Sequence, residues 1–206
     1  MSLRFGYGLN GFTDHRLPDA LAVLADLGYD GVALTLDHAH LDPFAPDLAA
    51  RTAQVAALLE RHGLGVVVET GARYVLDPRR KHEPTLVSGS GRERRIDLLE
   101  RAIRVAAEVG SPAVSFWSGI APAGVPQAEL WARVEDGVTT LLPLAEAHGI
   151  VLALEPEPGM FVGRIEDVHE LRRRLGAPDH LRLTIDVGHL RCTEDADPAA
   201  CVLGAG

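Results

Sequence analysis

The sequence of 206 residues predicts an α/β fold in which parallel strands alternate with helices. Two observations support this class. Helices rich in alanine, leucine and arginine end at a glycine and a short run of strand-forming residues follows, at Gly28, Gly63, Gly110, Gly149 and Gly176. Most of these runs are nearly continuous apolar segments, as expected of parallel strands that are buried on both faces.

The individual elements follow from these junctions in chain order. The apolar runs predict six strands, at residues 3–9, 32–36, 66–69, 113–117, 150–155 and 181–186. Amphipathic segments predict five helices between them, at residues 18–27, 46–62, 92–109, 126–148 and 166–175. Residues 198–206 are typical of a further helix that is beginning.

Polar residues at the strand ends favour a closed barrel over an open doubly wound sheet. No phosphate-binding glycine fingerprint follows the first strand. Ionisable residues instead follow several strands: Asp37 and His38, Glu69, Glu155 and Glu157, Asp186 and His189. In a TIM (β/α)8-type barrel these strand ends converge on one mouth. Because eight units occupy roughly 250 residues, we expect one domain over residues 1–206 with about six βα units, truncated at its C-terminal end.

Composition limits the classes of partner. The formal net charge of −9 and a pI near 5.4 give no basic surface for nucleic acid or for an anionic membrane. No apolar run approaches the roughly 20 residues of a membrane span, and no secretory signal opens the chain. The two cysteines, Cys192 and Cys201, lack metal-finger spacing and fit a reducing compartment. We therefore expect a cytoplasmic protein that binds a small molecule and forms a homo-oligomer through the exposed edges of strands one and six.

The fifth and sixth strands end in the residues with the strongest chemical signal. Glu155 closes the apolar run that begins at Val151, and Asp186 is followed by Val-Gly-His189. A carboxylate is costly to bury alone, but two carboxylates and an imidazole form a site for Mg, Mn, Co or Zn. The spacing predicts that Asp186 leaves the strand and that His189 folds back from the following loop. The structural alternatives are an ion-paired carboxylate at Glu155 and an aspartate turn at Asp186.

These two motifs resemble those of the xylose isomerase-like superfamily of sugar phosphate isomerases and epimerases. The resemblance implies that Glu155 is a metal ligand and the catalytic acid/base, that Asp186 is a metal ligand, and that His189 contacts substrate or binds a second metal. It also implies sugar isomerisation or epimerisation through a metal-bound enediolate. The family pattern adds a histidine near a seventh strand and a glutamate on an eighth, so these residues supply part of a site.

Further residues are candidates for substrate binding because they follow strands. They are Glu157, Glu69, Trp117, His38 and Arg79, together with His189. Arg79 lies in the long segment 70–91 with Arg80, Lys81 and His82, which could clamp a phosphate or an acidic sugar. The alternative for this segment is a solvated run of charges. Trp117 could stack on a sugar face or fill the top of the barrel.

Three other functions remain open at this stage. Loss of water from a cyclic polyol would make the protein a dehydratase or lyase of the same superfamily. An endonuclease-like metal phosphoesterase would need additional histidine ligands and a basic groove, which the acidic composition disfavours. A truncated barrel that binds only a ligand or a partner chain needs no catalytic site.

Overall fold

The computed structural model describes residues 3–71 and 73–205, which form a six-stranded parallel sheet with helices packed against it. The strands are β1 Gly6–Gly8, β2 Gly31–Thr35, β3 Gly65–Glu69, β4 Ala113–Phe116, β5 Val151–Leu154 and β6 Leu181–Leu183. Their order in the sheet is their order in the chain, β1 to β6. This arrangement of six consecutive βα units confirms the predicted α/β class and matches a TIM-type barrel with about six units.

The helices that connect the strands lie close to their predicted positions. They are α1 Leu17–Asp26, α2 Leu48–His62, α3 Arg92–Val109, α4 Gln127–His148, α5 Ile165–Arg174, α6 Val187–Thr193 and α7 Pro198–Gly204, with a 3₁₀ turn at Leu9–Phe12. The helix predicted to begin at Pro198 is α7. The sequence did not predict α6, whose seven residues follow the sixth strand directly.

The two edge strands are shorter than predicted. β1 has three residues where the sequence predicts seven, and β6 has three where it predicts six. Among the described residues each edge strand pairs on one side only, β1 with β2 and β6 with β5. Backbone groups on the unpaired side gain no ladder hydrogen bonds, so the regular strand is limited to the part that its single neighbour holds.

Glycine is required at the helix ends and at one contact between strands. Each of the five glycines predicted to end a helix has a positive φ, from 66° to 81°. At Gly31 in β2, a Cβ atom would lie 2.6 Å from the carbonyl oxygen of Gly65 in β3. The close approach of β2 and β3 therefore needs glycine at this position.

The core lies between the helices and the sheet and fixes the direction of the strand ends. Buried aliphatic residues from α1 to α5 pack on buried residues of the strands, including Val68, Val114 and Leu152. Because all six strands are parallel, their carboxyl ends lie at one edge of the sheet. Among the described residues, no helix combines the length and the apolar character that a membrane crossing needs.

Candidate metal centre

Glu155 lies immediately after β5, where the apolar strand reaches the mouth. Its backbone N–H donates to the carbonyl oxygen of Phe116, which holds it beside the end of β4 (N···O 2.8 Å). Its side chain is only 21% exposed. The pKa of Glu155 is raised to about 7, mainly by burial; His189 lowers it, and the carboxylates of Glu157, Asp186 and Glu69 add to the rise.

Asp186 and His189 are fixed by the first turn of α6. Asp186 is the N-cap residue, and its Oδ1 accepts a hydrogen bond from the backbone N–H of His189 at 2.9 Å. His189 therefore lies in a helix, whereas the sequence analysis predicted a loop at this position. The cap leaves the Oδ2 atom of Asp186 free, 4.0 Å from Nε2 of His189. The aspartate turn foreseen as an alternative exists and still leaves one oxygen for another partner.

The three side chains converge on a common point. One ligand atom from each of Glu155, Asp186 and His189 lies within 4.8 Å of the other two. The Nδ1 atom of His189 is 3.3 Å from Oε1 of Glu155 but lacks hydrogen-bond geometry, so this nitrogen is buried without a hydrogen-bond partner. Buried polar atoms without partners are uncommon and require an explanation. Two carboxylates and an imidazole nitrogen suit a divalent cation, so the residues fit such an ion.

A pocket of about 230 Å³ lies beside this cluster. It is lined by Glu69, Trp117, Glu155, Glu157 and His189, which the sequence singled out, and by Asn10, Thr35, Thr70, Gly71, Arg73, Lys81, His82 and Ser115. Sequence analysis missed Asn10, Thr35, Arg73 and Ser115 as pocket residues. Thr35 carried a usable signal, because it is a polar residue near the end of the apolar run 32–36; in the structure it is the last residue of β2 and is paired in register with Glu69.

Glu69 is held on the wall of the pocket by hydrogen bonds. Its Oε2 accepts from the hydroxyl of Thr35 at 2.6 Å and from the side-chain amide of Asn10 at 3.2 Å. These donors orient the carboxylate from neighbouring strand ends. The Glu69 carboxylate is thus fixed in direction, as a substrate-binding group needs to be.

Two candidate substrate residues lie outside the pocket lining. His38 is exposed, and its Nδ1 is 3.1 Å from a carboxylate oxygen of Asp42. Arg79 is exposed, and its backbone N–H donates to Asp77. The sequence analysis interpreted segment 70–91 either as a clamp for an anion or as a solvated run of charges. In the structure Lys81 and His82 of this segment line the pocket, and Arg79 does not.

The segment 70–91 is anchored by Arg95, which is 2% exposed. Its guanidinium donates to the carbonyl oxygens of Thr70, His82 and Pro84, at 2.6 to 3.2 Å, and lies 4.5 Å from the ring centroid of Trp117. Burial lowers the pKa of Arg95 to about 10, so it remains a cation at neutral pH. The start of the segment is thereby held next to residues 82–84, while Arg79, Arg80 and Lys81 between them are exposed.

Replacing Arg95 with methionine is expected to lower the free energy of unfolding by roughly 3 kcal/mol, because buried carbonyl groups lose their donors. Urea denaturation followed by circular dichroism measures this change. Arg104→Met is the matched control, since the Arg104 side chain is 54% exposed and pairs with the exposed-side Glu100 in the same helix. Equal stability of Arg95→Met and the control would contradict the anchoring role of Arg95.

A larger cavity, of about 430 Å³, lies at the opposite ends of the strands. Its lining comes mainly from β1, β2 and β3, including Tyr7, Val32 and Val67. The only ionisable residues there besides Tyr7 are Arg4 and Asp30, and the Arg4 guanidinium donates to the backbone oxygen of Asp30. The cavity therefore lacks a cluster suited to chemistry, and we place the functional site at the smaller pocket.

The family model described as a xylose isomerase-like TIM barrel matches residues 21–206. The chain belongs to the xylose isomerase-like TIM barrels. No curated protein matches the sequence. Family membership agrees with the position of the cluster, because ligands of such barrels lie at the carboxyl ends of the strands.

Solved structures match nearly the whole chain in fold, and several are sugar epimerases by title. The 3-keto-D-glucoside 4-epimerase YcjR from E. coli has a TM-score of 0.80 at 16% identity, over 99% of this chain and 75% of that one. An AP endonuclease of family 2 from Brucella melitensis has a TM-score of 0.77 at 19% identity, over 98% and 75%. The IOLI protein with a bound zinc atom has a TM-score of 0.71 at 15% identity, over 94% and 66%. At such identities these likenesses establish the fold, and the activity has to be argued from the site.

Proposed function

We propose that the protein is a divalent-metal-dependent epimerase or isomerase of small sugars. The observation that carries this proposal is the convergence of Glu155, Asp186 and His189 around a buried imidazole nitrogen that has no partner. The family and the sugar epimerases among its structural neighbours support the same class of reaction. The zinc atom in the IOLI structure supports a divalent metal.

In this proposal Glu155, Asp186 and His189 hold the metal ion. A divalent cation there would withdraw electron density from a sugar carbonyl and acidify the adjacent C–H bond. The carboxylates of Glu69 and Glu157 also line the pocket. Both are acceptors when ionised, so they suit hydrogen bonds from sugar hydroxyl groups.

Glu155 is the proposed acid/base. Its raised pKa of about 7 suits a group that both accepts and returns a proton near neutral pH. A carboxylate oxygen of Glu155 takes the proton from the carbon next to the carbonyl, and the C–H electron pair passes into the carbon–carbon bond of an enediolate. Return of that proton by Glu155 to the neighbouring carbon gives an isomer, whereas an epimer requires a proton from a second acid on the opposite face, and Glu155 then gives up its own proton to solvent.

Trp117 is proposed to act mainly as a wall of the pocket. The residue is 8% exposed; the guanidinium of Arg95 lies over its ring, and the ring of His82 makes a T-shaped contact with it, with ring centroids 5.2 Å apart. The two roles considered for Trp117, stacking on a sugar face and filling the top of the barrel, are therefore compatible. A ring that is fixed by packing can still present part of its surface to a sugar.

A phosphoesterase is less well supported. The ends of β3 and β4 present Glu69 and Trp117 to the pocket, where a metal cluster for phosphate-ester hydrolysis would need further ligands such as histidine. The net charge of −9 also opposes a polynucleotide substrate.

Proton exchange with solvent tests this function. Incubation with Mn²⁺ in D₂O and a panel of ketoses and aldoses is expected to place deuterium on a carbon next to the carbonyl of at least one sugar, as followed by NMR. Chelation with EDTA is expected to stop the exchange, and added Mn²⁺ to restore it. Folded, metal-loaded protein that exchanges no sugar but hydrolyses a phosphodiester would refute the proposal.

A further inference from the structure

The helix α6 carries two of the three side chains of the proposed metal centre but has little contact with the core. Asp186 caps its first turn, and His189 lies within that turn. Of the seven residues of α6, Leu190 alone is buried. The helix also follows β6, which among the described residues pairs with β5 only. The direction of the His189 imidazole therefore depends on how else α6 is attached to the protein.

Glu194, the residue at the C-terminal end of α6, provides such an attachment. Its Oε1 accepts a hydrogen bond from the backbone N–H of Ile165 at 2.9 Å. Ile165 is the first residue of α5, so this N–H group has no acceptor within its own helix. The Glu194 side chain is 16% exposed, and its Oε2 lies 3.6 Å from Nε of Arg164. One carboxylate thus joins the end of α6 to the start of α5.

The helix α5 is a firm support because it belongs to the core. Val168 and Leu171 on α5 are fully buried. The Oδ2 atom of Asp167 accepts from the backbone N–H groups of Gly163 and Arg164, at 3.0 and 2.9 Å, and so fixes the first turn of α5. Neither contact involves Glu194. Loss of the Glu194 carboxylate should therefore release α6 and leave α5 in place.

The position of Glu194 is transmitted to the metal centre through hydrogen bonds of α6. The backbone N–H of Glu194 donates to the carbonyl oxygen of Leu190 at 3.0 Å. The hydroxyl of Thr193 donates to the carbonyl oxygen of His189 at 3.0 Å, and the backbone N–H of His189 donates to Asp186. These bonds join the two ends of the helix into one unit, so a shift of its C-terminal end moves both proposed ligands.

Asp195, the next residue, differs from Glu194 in what it contacts. Its carboxylate is fully exposed and lies 3.0 Å from Nη2 of Arg164. An ion pair in water contributes little to stability. The acceptor for the N–H of Ile165 is Glu194 and not Asp195. The hydrogen bond to the start of α5 therefore distinguishes two neighbouring carboxylates that both lie near the same arginine.

We propose that Glu194 is a positioning residue of the metal centre, which it serves by holding α6 so that Asp186 and His189 face Glu155. The role at a metal rests on the function proposed above, whereas the attachment of α6 to α5 does not. Without the attachment, the ligands would be in place in only a fraction of the molecules. The apparent affinity for a metal ion would fall in proportion to that fraction.

Amide hydrogen exchange of the full chain without metal, followed by mass spectrometry, tests the attachment. Glu194→Ala is expected to speed exchange in peptides from α6 by about tenfold, because a hydrogen bond to a charged group is lost, and to leave peptides from α5 unchanged. Glu194→Gln keeps an oxygen that can accept from Ile165 and should exchange more slowly than Glu194→Ala. Asp195→Ala is the matched control, since it removes the same charge from the exposed neighbouring position.

Calorimetry with Mn²⁺ tests the consequence for the ligands. Glu194→Ala is expected to weaken Mn²⁺ binding about tenfold, the lower end of the effect of groups that support metal ligands. Glu194→Gln should recover most of the affinity, and Asp195→Ala should bind as the unmodified protein does. Leu59→Ala, at a buried position in α2, lowers the stability of the whole protein and should leave the affinity of the folded protein for Mn²⁺ unchanged.

The possible results separate this proposal from the proposed function. The proposal is overturned if α6 exchanges at the same rate in Glu194→Ala and Asp195→Ala, if both bind Mn²⁺ equally well, or if Leu59→Ala weakens binding as much as Glu194→Ala. Folded protein that binds no Mn²⁺, with faster exchange of α6 in Glu194→Ala, would support the attachment and overturn its role at a metal. Bound Mn²⁺ without deuterium exchange into any sugar counts only against the proposed reaction.

Discussion

Glu155→Gln is expected to reduce sugar C–H exchange by roughly 10²- to 10⁴-fold at saturating Mn²⁺, the usual contribution of a general acid/base. Glutamine keeps the size of the side chain and one oxygen, but it cannot take a proton. Initial rates of deuterium incorporation measure the effect. Glu108→Gln is the matched control, because Glu108 is exposed near the end of α3 and lies outside the pocket. A loss of less than tenfold in Glu155→Gln would exclude Glu155 as the base.

Thermal unfolding of the same variant without metal separates loss of chemistry from loss of fold. The folded-state pKa of Glu155 is about 7, against 4.5 for an ordinary glutamate, so the folded protein holds its proton more tightly than the unfolded chain. This contribution to stability is fully present below pH 4.5 and is lost as the pH rises through 7. Glutamine does not ionise, so Glu155→Gln should become more stable relative to the unmodified protein between pH 5 and pH 8. The difference is at most about 3 to 4 kcal/mol, since one pKa unit corresponds to about 1.4 kcal/mol.

Asp186→Asn is expected to weaken divalent metal binding by at least about 100-fold, because removal of even a supporting group around a metal ligand commonly costs 10- to 100-fold. Asparagine retains an oxygen that can accept from the backbone N–H of His189, so the cap of α6 and the position of His189 should persist. Titration calorimetry with Mn²⁺, Co²⁺, Zn²⁺ and Mg²⁺ measures the loss.

Asp26→Asn is the matched control for this measurement, since Asp26 is exposed at the end of α1. It removes the same charge from the chain and should bind metal as the unmodified protein does. Unchanged affinity in Asp186→Asn would mean that the ligands lie elsewhere. Equal losses in both variants would point to the overall charge of the protein and not to a ligand.

The local sequence determined the order and type of most elements for a physical reason. Glycines such as Gly63 and Gly149 end helices through a left-handed conformation that depends on a single residue. Apolar runs such as 151–154 form strands because parallel strands are buried on both faces. The strand-end positions of Glu155 and Asp186 follow from those runs, so the sequence could also predict that the two carboxylates meet.

The sequence could not give the extent of the edge strands or the helix that carries His189. β1 and β6 are short because each has one neighbour, and pairing is a property of the sheet. The turn at Asp186 was predicted as a loop because Val-Gly-His is too short a signal for a helix. In the structure the Asp186 cap starts α6, and that helix sets the direction of the imidazole.

Tertiary structure alone decided which residues of segment 70–91 reach the pocket. By sequence, Arg79, Arg80 and Lys81 are equivalent members of one charge run. Arg95, from the next helix, binds the carbonyl oxygens of Thr70 and His82, and in the resulting arrangement the exposed Lys81 borders the pocket whereas Arg79 does not. Local sequence therefore determined where carboxylates leave the strands, whereas the path of segment 70–91 past the pocket depends on contacts with Arg95 in the next helix.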